Sequence, residues 1–328
     1  MIMGSGKFVP KDWDNFRTTH VKVDNHTKSA AQTFSKTAKS EFDPKNIVSR
    51  LSCETKEKPQ VTPIIIALDV TGSMGKIPEA LIKGGLGTLM AQILARESIP
   101  NPHIMFMAVG DVNCDQSPLQ VTQFEADIRI AAQLKDLFLE GGGGGNGSES
   151  YPLAWHFAAT KTELDCLKNR KEKGILFTIG DDNAPQKISG KHITQFTGQL
   201  HAQDSSTVNI LQYTQSMYDV FHLGIKESEI FTQAVENGWK NLLGERAIVV
   251  HDYTKVAEVI VSTIDMLCQQ RTKKVAESTQ MTHLWNSTAP PSYDQLVNDG
   301  SIVNNAVNAV SMDLSRDTSN SSSSSKPV

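Results

Sequence analysis

Three apolar runs limit the folds open to this chain. They are Ile64-Ile65-Ile66-Ala67-Leu68, Ile104 to Val109, and Ile175 to Ile179, the last broken only by Thr178. A strand with one solvated face alternates polar and apolar residues. A run without alternation is a strand covered on both faces, the usual condition of a parallel sheet. Between the runs the period changes to that of a helix. Ile82, Leu86, Leu89 and Ile93 form one stripe; Ile128, Ala131, Leu134 and Phe138 another; Val256, Ile260, Ile264 and Leu267 a third. A further helix is expected at 152–161. Gly84, Gly85 and Gly87 each weaken their helix by roughly 1 kcal/mol, which suggests close packing on a sheet. Shorter strands are expected at Leu119 to Phe124, Asp219 to Leu223 and Ala247 to Val250. The run at 119–124 follows its predecessor too closely for a helical crossover, so it is expected as an antiparallel edge strand. The alternation predicts an α/β fold, a doubly wound, mostly parallel sheet of about six strands with helices on both faces.

That pattern occupies 58–271, and the flanks differ from it. Residues 1–57 are polar and form an N-terminal extension, in which Thr27 to Phe42 is expected as a short helix with Ala30, Phe34 and Ala38 on one side. Residues 272–328 are rich in Ser, Asn and Thr and end near the run Ser321 to Ser325. Such a composition buries too little surface to offset its ordering entropy, so a disordered tail is expected. Within it, Trp285 and Tyr293 flank Pro290-Pro291 as a candidate docking element. With 39% hydrophobic residues among 328, one core is diluted by polar segments. The net charge of -4 and the lack of a basic run argue against binding nucleic acid or a membrane surface. No stretch approaches the roughly 20 apolar residues of a membrane span. Met1 to Pro10 does not read as a signal peptide, because no apolar segment follows its charges. Cys53, Cys114, Cys166 and Cys268 are dispersed, with no Cys-x-x-Cys, so reduced thiols in a cytoplasm are expected rather than a zinc knuckle or disulfides.

Ligands of open α/β sheets bind at the carboxyl ends of the strands. After the first run comes Asp69-Val70-Thr71-Gly72-Ser73; after the third comes Gly180-Asp181-Asp182. Gly141 to Gly145 leads into Asn146-Gly147-Ser148-Glu149-Ser150. These three loops offer hard oxygen donors and no clustered His or Cys, which suits Mg²⁺, Mn²⁺ or Ca²⁺ rather than zinc. Asp111 and Asp115, at the same sheet edge, read as a solvated turn; His156 as packing or surface; Trp155 and Phe157 as core. Gly4-Ser5-Gly6-Lys7 has neither the spacing nor the preceding strand of a P-loop. Thr71 stands where a haloacid-dehalogenase phosphatase needs its acid–base Asp.

Asp69-Val70-Thr71-Gly72-Ser73 resembles the Asp-x-Ser/Thr-x-Ser pattern of the metal-ion-dependent adhesion site (MIDAS) of von Willebrand factor A (vWA) domains. The resemblance covers 58–271 and extends to Leu119 to Asp127, Gly141 to Tyr151 and Leu176 to Asp181, and it is similar to a prokaryotic and phage branch of stand-alone vWA proteins. It implies that Thr71 and Ser73 donate hydroxyl oxygens to a divalent cation, Mg²⁺ foremost. It further implies that Asp69 orients those hydroxyls and holds metal-bound water, and that Asp181, or Asp182 beside it, supplies the later aspartate. The family draws a Thr from the middle loop; here Ser148 and Glu149 are the candidates. A directly bound Glu149 would lessen the cation's pull on a partner's acid.

The resemblance implies a metal-dependent binding module that grips an Asp or Glu of a protein partner, in bacteria often an AAA+ ATPase of the MoxR type. No nucleophile–base pair is evident, so an enzyme is not expected. Two alternatives stay open: a Mg²⁺-dependent phosphoester hydrolase, with the cation activating water, and a structural component, for instance of a virion.

Overall fold

The computed structural model describes residues 6–7, 9–23, 26–27, 30–74, 76–81, 85–94, 99–141 and 147–287, with the backbone alone at 21–23, 26–27, 30–31, 76, 94 and 274–287. The three apolar runs are the heart of a six-stranded sheet. Its strands are β1 (Thr62–Asp69), β2 (Pro102–Val109), β3 (Leu119–Val121), β4 (Gly174–Gly180), β5 (Tyr218–Ile225) and β6 (Ala247–Val250). Their order is β6-β5-β4-β1-β2-β3. Ile65 pairs with Met105 on one side and Leu176 on the other, both in parallel register. Every residue of β1, β2 and β4 is buried. Only β3 runs antiparallel, with Met107 opposite Val121, as its short connection requires. The fold is therefore a vWA-like, Rossmann-like α/β sheet.

Helices cover both faces. Ile64, Ile66 and Leu68 face α1 (Pro10–Phe16), α3 (Leu86–Leu94), α4 (Arg129–Lys135) and the start of α9 (Val256–Ser287). Between α1 and α3 in the chain lies the short α2 (Lys76–Ala80). Ile65 and Ala67 face α5 (Tyr151–Lys161), α6 (Gly190–Thr197), α7 (Thr207–Met217) and α8 (Gln233–Leu243). Helix α5 is buried at every position from Tyr151 to Ala159, so its apolar residues surround it rather than forming a stripe. Trp155 and Phe157 are core, as expected, and His156 is buried with its Nε2 2.8 Å from Gln199 Oε1.

The described chain up to Gln269 is one compact unit. Its polar N-terminal segment contributes Trp13, Phe16, Phe34 and Phe42 to the core. The expected helix over Thr27 to Phe42 is reduced to Ala30–Thr33 and a separate turn at Ser40–Phe42, and Ala38 is exposed. The Ser35 N–H donates to the carbonyls of Lys135 and Leu137 at 3.1 and 3.2 Å, so it closes the end of α4 instead of extending its own helix. Helix α9 runs to Ser287, past the end of its apolar stripe. The tail reading for 288–328, Tyr293 included, and the Trp285 side chain lie outside the described residues, as do Ile82 and Gly84.

Gly87 serves packing, but on another helix and not on the sheet. A Cβ there would lie 2.1 Å from Trp13 Nε1. An exposed Gly→Ala change in a helix gains about 1 kcal/mol. Here Gly87→Ala should lower the melting temperature, because buried Trp13 must move. Thermal melts of Gly87→Ala, Trp13→Ala and the double variant would measure the coupling, with the alanine at 87 costing little once Trp13 is gone.

Candidate functional site: carboxylates at the switch point of the sheet

β1 and β4 are neighbours, but their following strands lie on opposite sides, so the chain departs in opposite directions from their carboxyl ends. That divergence opens a crevice where α/β sheets bind ligands. Asp69 is the last residue of β1 and is 1% exposed. Its Oδ1 accepts from the Thr71 N–H at 2.9 Å and the Thr71 hydroxyl at 2.6 Å. Its Oδ2 accepts from the Tyr151 hydroxyl at 2.7 Å. Because the Thr71 proton points to Asp69, the oxygen's lone pairs remain for another group. Ser73 is exposed beyond the turn.

β4 brings Asp181 to the same crevice, buried, its Oδ2 accepting from the Ser228 hydroxyl at 2.5 Å. Gly180 must be glycine: a Cβ there would lie 1.9 Å from the Tyr151 hydroxyl and 2.9 Å from Asp69 Oδ2. Asp182 faces differently. Its Oδ1 accepts from the Asn183 N–H at 2.6 Å, and its carbonyl from Trp239 Nε1 at 2.9 Å. In the middle loop, Ser148 is half-buried and Glu149 is 6% exposed. The Glu149 backbone N–H is fixed on the Asn183 carbonyl at 2.9 Å, while the side-chain Oε2 is buried without a hydrogen-bond partner. Gly142 to Asn146 lie outside the described residues.

Asp111 and Asp115 are not a solvated turn. They are 1% and 9% exposed. Asp115 Oδ2 accepts from the Asp111 N–H at 2.7 Å, and Asp111 Oδ1 from the Asn113 N–H at 3.0 Å. The middle loop covers them: Ser150 N–H donates to the Gly110 carbonyl at 3.1 Å, and Ser150 Oγ accepts from the Val112 N–H at 3.0 Å.

The electrostatics follow from this crowding. Burial pushes the Glu149 carboxyl up to about 9, reinforced by Asp69, Asp111, Asp115 and Asp182, all carboxylates. Burial likewise raises Asp69 to about 7, against the bonds from Thr71 and Tyr151 and with help from Asp181. Asp182 is raised too, chiefly by burial. Among the described residues no three His, Cys, Asp or Glu side chains are grouped so as to hold a metal ion by themselves. A hard divalent cation would have to draw on hydroxyls as well, and the donor set suits that: Thr71 and Ser73 hydroxyls, the orphaned Glu149 oxygen, and flanking carboxylates.

No family model matches the chain, and no curated protein matches it. Solved structures similar to it include the pilus adhesin SpaC from Lactobacillus rhamnosus GG in its open conformation, at 11% identity and TM-score 0.41 over 66% of this chain and 30% of that one. Another is the vWF domain of the type V pili tip protein Mfa5 from Porphyromonas gingivalis, at 10% identity and TM-score 0.40 over 66% and 96%. BatB from Bacteroides thetaiotaomicron is similar at 12% identity and TM-score 0.38 over 63% and 99%. The chain thus spans under a third of SpaC and, at 48%, about half of proximal thread matrix protein 1 from the mussel byssus. The vWA-like reading of the fold rests on the sheet itself, its strand order and its single antiparallel strand.

Asp69, Thr71, Asp181 and Glu149 meet at the crevice, Ser73 and Ser148 border it, and Asp182 is turned toward its own loop. Tyr151 and Ser228, absent from the sequence expectation, hold Asp69 and Asp181. Tyr151 opens the helix after the middle loop, a position that places it at the strand ends. Ser228 carries no such signal.

An acid whose pKa is higher folded than unfolded binds more protons in the native state, so stability falls as pH rises between the two values. For Glu149 that window runs from 4.5 to about 9, and for Asp69 from 3.8 to about 7. The metal-free protein should therefore melt progressively lower from pH 5 to pH 9 in EDTA. Glu149→Gln should flatten the part above pH 7. An unchanged slope in that variant would mean that Glu149 titrates normally.

Proposed function

We propose that this chain is a protein-binding module that grips an acidic residue of a partner through a divalent cation held at the crevice. The observation that carries the reading is the unpartnered, buried Glu149 oxygen among carboxylates that raise one another's proton affinity. Such an arrangement is costly alone and is relieved by positive charge. Thr71 and Ser73 would hold the cation by their hydroxyls. Asp69 orients Thr71, and Asp69 and Asp181 would hold metal-bound water. Asp181 fits this role better than Asp182, since it acts on Asp69 and Tyr151 while the Asp182 Oδ1 is engaged by Asn183. Glu149 fits the middle-loop position better than half-buried Ser148. When bound, Mg²⁺ would supply an open coordination position for a carboxylate. The negative charge of Glu149 tempers that attraction, which suits a reversible adaptor, with an AAA+ ATPase as one candidate partner. Among the described residues no helix is long and apolar enough to cross a membrane.

Asp69 lies deeper than a strand end suggests, and alanine there would strand the Tyr151 and Thr71 hydroxyls. Asp69→Asn keeps the shape and removes the charge. Calorimetric titration should show Mg²⁺ and Mn²⁺ binding to the wild type and at least tenfold weaker binding to Asp69→Asn and Thr71→Ala. Equal binding to all three would overturn the site. Phosphoester turnover in Mg²⁺ is expected to be at background; turnover lost in Asp69→Asn would favour the hydrolase instead.

A further inference from the structure

A small cleft opens beside the proposed cation site. Met74, Ile77 and Ile225 line it, Tyr253 walls it, and Ser73, Ser228 and Glu227 complete it. The cleft begins where the cation site ends, because Ser73 belongs to both and Ser228 bonds Asp181. Met74, Ile77 and Ile225 are 2–3% exposed, so the apolar lining belongs to the core. Its walls are tied by the backbone: Met74 N–H to the Thr71 carbonyl and Ile77 N–H to the Met74 carbonyl, both 3.0 Å, and Lys226 N–H to the Val250 carbonyl at 2.9 Å. Tyr253 stands on a short turn in which the Asp252 side chain accepts from the Thr254 N–H at 2.9 Å. The volume is about 30 Å³. That exceeds the roughly 10–15 Å³ of such space that one water occupies, yet water needs two to four polar partners and the apolar lining offers few.

We infer that this cleft receives a small aliphatic side chain adjoining the partner's metal-bound carboxylate, so that the module reads an acidic residue next to Ala or Val. The inference rests on the cation reading and adds a specificity to it. A partner anchored by its carboxylate next to Ser73 carries its neighbouring side chain within reach of the cleft. The space admits a methyl or isopropyl group and not an aromatic ring. Glu227 bordering the cleft repels a second acid, so a run of acidic residues fits poorly.

The test uses the full chain with Mg²⁺ and blocked pentapeptides in which a central Asp is flanked by Gly, or by Val, Phe or a second Asp on either side. Binding is followed by NMR titration. Valine on one side should tighten binding by roughly fourfold per methyl group buried. Phenylalanine should give no gain and a second Asp a loss, and EDTA should abolish all binding. Tyr253→Ala removes one wall, so the gain should move from Val to Phe while calorimetric Mg²⁺ affinity stays as in the wild type. Ile77→Val, which removes one methylene from the lining and so enlarges the cleft, should shift the preference the same way and serves if Tyr253→Ala does not fold. If glycine and valine peptides bind equally, with Mg²⁺ dependence intact, the cleft is no subsite and the cation reading stands. If Mg²⁺ binds but no acidic peptide does, the inference is overturned. If Mg²⁺ itself does not bind, the cation reading fails and this inference falls with it.

Discussion

The hydrogen bond from the Tyr151 hydroxyl to Asp69 Oδ2 ties the sheet, the buried helix α5 and the crevice into one object. Asp69 ends a strand, Tyr151 begins a helix, and Gly180 ends the neighbouring strand with only enough room for a hydrogen where the two side chains meet. Tyr151 is itself held from behind by edge contacts with His222 and Trp239, both at 5.4 Å. Core packing on one face of the sheet thus fixes the position of the carboxylate at its rim. A site preorganised in this way is set by the interior rather than by a mobile loop.

The arrangement runs against stability. Several carboxylates are buried within one another's field, and one oxygen of Glu149 has no partner. Local consistency fails most sharply here, while the central strands around it are regular and buried along their whole length. Such a localised departure is expected where a chain serves something other than its own fold. Proton uptake by Glu149 and Asp69 relieves part of that charge. A bound cation would replace those protons, so metal and proton compete for the same oxygens.

The sheet was legible because its central strands are apolar runs with scarcely a polar residue, and burial on both faces leaves few other folds for them. Even the antiparallel β3 followed from connection length. The Asp69-x-Thr71-x-Ser73 turn and Asp181 were legible because chemistry-bearing residues followed strands. What the sequence hid was set by distant contact. Gly87 looks like a helix weakener until Trp13 is seen against it. Asp111 and Asp115 look like turn residues, since nothing nearby announces that Ser150 will close over them. The Thr27 to Phe42 pattern has helical spacing, but its Ser35 N–H was taken by the end of α4. Ser228 lies 47 residues from Asp181, and only the topology joins them.

His222 is a buried base beneath the crevice that does not offset the site's charge. Its ring lies under the crevice, stacked on Trp239 at 3.5 Å and 6°, with Nδ1 3.0 Å from the Thr178 hydroxyl. A protonated imidazole there would offset part of the negative charge around Asp69. Burial instead drives its pKa well below the usual histidine range. Its Nε2 is buried without a partner, so a proton on that nitrogen would have no acceptor, which favours the neutral ring. The interior that positions Asp69 through Tyr151 is therefore too apolar to charge His222. The same packing that makes the carboxylates precise leaves Glu149 Oε2 without a hydrogen-bond partner, an oxygen that a hard cation would engage.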